Sequence, residues 1–254
     1  MGMQEIEAHE ISDAFLPCWE AAVSHLNRQV DGGIQSWLRV QPCPPFLEHL
    51  SFRLGNQLYF VRVDDVSGKV IGPGNPLGFI TAANMANGRA CILPMKKKFF
   101  SGAWVADRSG WGLVDPDSNG LINPVALITD EKIEMSRWEV QHLAVQVVSE
   151  HLENQGFELM STQANPEVDP AIWFIGESKK PEWVVVRSAR FPQMSVYRPG
   201  NWNAIAAGCA KLSDIGHYAS VAIANADQPF RERDEKALPL WRGHATEVRF
   251  MGLE

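Results

Sequence analysis

Two stretches of this chain repeat one order of patterns: a helix, three strands, a second helix and a further strand. In the first stretch Phe15, Leu16, Trp19, Ala22, Val23, Leu26 and Val30 recur at helical spacing, with Asp13 placed as an N-cap. Gly32-Gly33 stops that helix. Residues 34–40, 50–54 and 58–63 read as strands, the last two joined at a Gly55-Asn56 turn. A Gly/Pro loop, a helix over about 77–86 and a strand at 90–93 follow. In the second stretch Trp138, Leu143, Ala144, Val147, Val148 and Leu152 mark a helix that Gly156 ends. Strands follow at 157–160, 171–175 and 182–187, then a helix around Trp202 to Leu212 and a strand at 219–223. Glu247 to Phe250 alternates and adds an edge strand.

The two stretches align by order and spacing rather than by identity. Gly33 falls on Gly156, Phe52-Arg53-Leu54 on Trp173-Phe174-Ile175, Phe60-Val61-Arg62 on Val185-Val186-Arg187, and Gly88 on Gly216. The fold class that follows is α/β: two similar αβββαβ halves, each a small mixed sheet flanked by helices. The domains are residues 1–130 and 131–254, with the boundary near Thr129 to Met135. At 254 residues and 45% hydrophobic content, each half can bury a core.

The second half resembles the restriction-endonuclease-like, or PD-(D/E)xK, nuclease fold, in degenerate form. That family sets a helix before a three-stranded unit, starts the second strand with an acidic residue and carries E-x-K on the third. The resemblance implies carboxylates that hold Mg²⁺ near the scissile phosphate and a lysine that helps to activate water. Asp169, in Glu167-Val168-Asp169-Pro170, matches the family's aspartate. On the third strand Val185 stands where the second carboxylate belongs and Arg187 where the lysine belongs. A valine cannot bind a hard cation, and an arginine stays protonated and is a poor proton shuttle. Glu182 lies an odd number of residues from Val185 and so faces the other side. Glu150 and Glu139 on the preceding helix are the substitute carboxylates. The first half has Glu48 for the aspartate and Phe60-Val61-Arg62 for E-x-K.

Other motifs bear on binding. Asp115, Asp117 and Asn119 spell the start of a calcium loop, but its twelfth position is Ala126, so a hairpin turn is the better reading. The Gly72 to Gly78 loop carries two prolines that remove donors a phosphate would need. Lys96-Lys97-Lys98-Phe99-Phe100, near Trp104, mixes charge and aromatics in a way that suits phosphate contact and base stacking, but the better reading is a solvated strand end with core aromatics behind it. Arg231 to Lys236 reads as an exposed mixed-charge run, and Trp241-Arg242 as a turn that anchors on tryptophan or forms a binding lip.

A formal net charge of −7 disfavours nucleic acid as the partner. No window approaches the about 20 apolar residues needed to cross a bilayer. The four cysteines are scattered, as in a reduced compartment. These features together indicate a cytoplasmic protein, working without a membrane, that binds another protein or itself without a cofactor. The rival expectation is a nuclease with a displaced carboxylate, needing Mg²⁺ and centred on Asp169 and Arg187. A weaker one is a secretion-chaperone-like or immunity-type module, by analogy with other small acidic α/β proteins.

Overall fold

The computed structural model describes residues 14–40, 49–72, 76–230 and 237–254. They form two compact units that part between Glu131 and Lys132. Asp13, Glu48, residues 73–75 of the Gly72 to Gly78 loop and the Arg231 to Lys236 run lie outside the described residues.

The first unit runs α1 (Leu16–Asn27), β1 (Ser36–Arg39), β2 (Leu50–Leu54), β3 (Gln57–Asp65), α2 (Pro76–Met85), β4 (Arg89–Lys97) and β5 (Trp104–Ala106). The second runs α3 (Arg137–Asn154), β6 (Glu158–Thr162), β7 (Ile172–Ile175), β8 (Pro181–Arg190), α4 (Trp202–Cys209), β9 (Gly216–Asn225) and β10 (Thr246–Phe250). Each unit holds one five-stranded sheet with its strands in sequence order. Three antiparallel strands come first, a helical crossover makes the fourth parallel to the third, and the fifth turns back antiparallel. The chain is thus an α/β protein of two similar halves. Each half carries one more strand than the αβββαβ order. β5 in the first half has no counterpart in the sequence reading, because three residues are too few to show alternation.

Alternation along the third strand decides which helix each residue meets. In β3, Tyr59, Val61 and Val63 join the core built on Trp19, Ala22 and Leu26 of α1. In β8, Val184 and Val186 join Ala144, Val148 and Leu152 of α3. Trp183 and Val185 turn the other way, toward Cys209 and Tyr218 and the flank of α4.

The parallel ladders match the halves residue by residue. Arg62 stands beside Ile92, and Arg187 beside Ser220. Setting Arg62 on Arg187 puts Gly88 on Gly216 with the ladder register intact, and puts Met95 on Ile223. Both glycines lie under an aromatic ring of the third strand. A Cβ on Gly88 would sit 2.8 Å from Phe60 Cε2, and one on Gly216 2.1 Å from Trp183 Cζ2. The same register corrects one alignment: Phe52, opposite Tyr59, corresponds to Ile172, opposite Val184, and not to Trp173. The cause is turn length. Two residues, Gly55-Asn56, join β2 to β3, whereas five, Gly176 to Lys180, join β7 to β8.

Candidate functional site

Arg187 lies on the α4 side of β8, on the same face as Trp183 and Val185. Asp169 approaches it from the segment before β7. Gln163 positions that segment by donating from Nε2 to the carbonyls of Val168 (2.6 Å) and Pro170 (3.2 Å). The guanidinium then meets the carboxylate fork to fork: Nη1 donates to Oδ1 at 2.8 Å and Nη2 to Oδ2 at 2.5 Å. Both side chains are largely covered, at 22% exposure for Arg187 and 12% for Asp169. Burial works against the arginine's charge, but the hydrogen bonds and negative charge of Asp169 outweigh it and hold its pKa above the ordinary value. The Cys209 thiol is pushed up to about 11, by burial first and then by Asp169.

This donor set does not fit the Mg²⁺ that the nuclease resemblance implies. Both oxygens of Asp169 already accept from Arg187, and Val185, fully buried, offers no ligand. The substitute carboxylates are elsewhere. Glu182 faces the α3 side and lies 2.7 Å from His217 Nε2. Glu139 is buried against Arg242, and Glu150 is exposed on α3. Among the described residues no three His, Cys, Asp or Glu side chains gather as a metal site. In the first unit, Arg62 donates from Nε to Asp64 Oδ1 at 2.9 Å, two residues along its own strand.

Asp115, Asp117 and Asn119 form a closed turn. Asp115 Oδ1 accepts from the backbone N–H groups of Ser118 (2.9 Å) and Asp117 (3.1 Å) and from the Ser118 hydroxyl (2.9 Å). These bonds, those of Ser118 foremost, lower the Asp115 pKa. The turn joins Val114 to Leu121, which pair across it.

The expectation of a binding lip at Trp241-Arg242 is corrected for the arginine. Arg242 is 4% exposed and donates from Nε and Nη2 to both oxygens of Glu139, at 2.7 to 2.9 Å. Glu139 also closes a capping box at the start of α3, accepting from the Ser136 N–H at 2.9 Å while its own N–H donates to Ser136 Oγ. Trp241 is half-buried and pairs in a β-bridge with Glu134, so the Trp-Arg-Gly turn is structural. The S-x-x-E spacing of Ser136 and Glu139 was the one local signal for this clasp.

Lys96 and Lys97 end β4. Lys96 pairs with Asp107 at 2.9 Å, and Lys97 sits over the Trp104 ring, 4.9 Å from its centre. The six residues that turn β4 into β5 carry Phe99 and Phe100, 94% and 99% exposed. Their rings meet edge to face at 5.2 Å. In the second unit a cavity of about 150 Å³ is lined by Glu134, Arg190, Ile223, Ala224, Leu238 and Leu240, among others. Ordinary small-molecule sites span about 300 to 1,000 Å³, so this one suits a few waters.

A family model described as a domain of unknown function (DUF8840) matches residues 138–254, nearly the whole second unit. No curated protein and no solved structure matches the chain. Among the described residues no helix is long and apolar enough to cross a membrane.

Proposed function

We propose that this chain is a non-catalytic binding module on a duplicated, degenerate nuclease-like scaffold, acting on another protein or on itself. The observation that carries this reading is the Asp169–Arg187 fork, set beside a buried valine where a second carboxylate would be needed. The order of helix, three antiparallel strands, crossover helix and parallel strand supports the scaffold analogy, since it is the order that the resemblance implies. Strand edges support the binding role. Among the described residues β1, β5, β6 and β10 each pair with one strand and stand last in their sheet, a position suited to strand addition by a partner. A reducing, cytoplasmic setting agrees with Cys18, Cys91 and Cys209, which are buried free thiols.

The test is to incubate the protein, and its Asp169→Ala variant, with DNA and RNA in Mg²⁺ and in Mn²⁺. Neither is expected to cleave. Cleavage by the parent that Asp169→Ala abolishes would install the rival reading, a metal-dependent nuclease with a displaced carboxylate.

A further inference from the structure

We infer that the β4–β5 hairpin is a finger that docks end-on onto an anionic phospholipid surface. This goes beyond the binding role proposed above and does not rest on it.

Three observations carry the inference. The tip is apolar and bare: Phe99 and Phe100 are almost fully exposed, and their ring contact is with each other. The turn itself is well formed, with the Lys98 N–H donating to the Ala103 carbonyl and the Gly102 N–H to the Lys98 carbonyl, each at 2.9 Å. Two exposed aromatics on a formed hairpin are therefore presented outward rather than left by a frayed loop.

Charge is the second observation. Residues 96–108 hold four cations, Lys96, Lys97, Lys98 and Arg108, against the single carboxylate of Asp107, in a chain of net charge −7. Asp107 engages Lys96 and lies 3.5 Å from Arg108 Nε, and Asp64 and Asp65 end the neighbouring strand beside Pro94 and Met95, so the positive excess sits toward the tip, at Lys97 and Lys98. The finger is the part of this acidic molecule that an anionic surface would attract.

Placement is the third, and it selects the partner. Successive strand residues point to opposite faces, so Lys96 and Lys97 flank both sides of the finger behind the phenylalanines. Trp104 lies under Lys97 at its base. A nucleic-acid strand tracks a groove on one face and would leave half of these lysines unused. A bilayer entered tip-first surrounds the finger. The phenylalanines then reach the acyl boundary, while the lysines on both faces and the tryptophan stay at headgroup depth, where such side chains concentrate.

The experiment is co-sedimentation of the full chain with vesicles of phosphatidylcholine alone or with added phosphatidylserine. The parent is expected to pellet with the anionic vesicles, to do so much less with neutral ones, and to be released by high salt. Phe99→Ser/Phe100→Ser should weaken binding at least about tenfold, and Lys97→Gln/Lys98→Gln about fivefold per lysine. Both variants change exposed side chains and should keep the parent's circular dichroism. Failure of the parent to bind, or equal binding by the phenylalanine variant, would overturn the inference. So would capture of a single-stranded oligonucleotide by a parent that ignores vesicles.

Discussion

The two units place very different structures at the same point of one topology. In the first, the fourth strand turns into the fifth through six residues, Lys98 to Ala103, which project as a bare finger. In the second, the corresponding connection lies between Asn225 and Thr246, and its described residues, 226–230 and 237–245, pack back onto their own unit. It buries Phe230 and Leu240, bridges Trp241 to Glu134 and sends Arg242 to the start of α3. One framework thus carries an exposed apolar connection in one copy and a stabilising one in the other. The difference teaches that the fifth strand's connection is the variable part of this fold, while the ladder between third and fourth strands is the fixed part.

Removing the clasp should break the comparison most severely. Arg242→Ala leaves the Glu139 carboxylate buried without its cation, which costs about 3–5 kcal/mol. Chemical denaturation should show the loss in the second unit while the first keeps its own transition. The glycines probe the fixed part. Gly216→Ala drives a methyl into the buried Trp183 ring and should cost about 1–3 kcal/mol. Gly88→Ala meets Phe60 at a longer distance and should cost less, and equal effects would show that the glycines do not play equivalent parts. Asp169→Ala leaves Arg187 unpaired, but the guanidinium keeps some water access and a bond to the Val186 carbonyl at 3.0 Å. A loss of about 1–2 kcal/mol is expected, below that of the fully buried clasp.

A pH effect should separate the units. Burial is the main cause that holds the His25 pKa below the ordinary histidine value of 6.5. A folded-state pKa below the unfolded one means that the unfolded chain binds the proton more readily. The contribution of neutral His25 is therefore complete above 6.5 and is lost as pH falls from there toward the folded value. Melting the parent and His25→Gln at pH 7.5 and 5.5 should show a smaller acid loss in the variant. The smallest effect belongs to Phe99→Ser/Phe100→Ser, which should leave stability within about 0.5 kcal/mol.

Legibility in the sequence followed the range of the interactions. The repeated order was readable because helical and strand periods are local, and the arginines at 62 and 187 could be matched by spacing. A motif links Asp169 to Arg187 in the sequence, although 18 residues separate them. The Glu139–Arg242 clasp carries no such link, because its partners lie 103 residues apart and no spacing rule joins them. The exposure of Phe99 and Phe100 was also unreadable. A hydrophobic pair beside a strand reads as core, and only the turn geometry sends it outward.

The clasp also sets an order of events. Glu139 stands in the first turn of α3, yet the cation that neutralises it is made 103 residues later. While the chain is being synthesised, α3 can form and cap itself through Ser136, but its carboxylate must stay hydrated until Arg242 emerges. The second unit therefore cannot reach its final packing from its first six elements alone. A chain stopped short of Arg242 should hold α3 and the β7–β8 pair in a looser, more protease-sensitive form, and the arrival of a single arginine should close it.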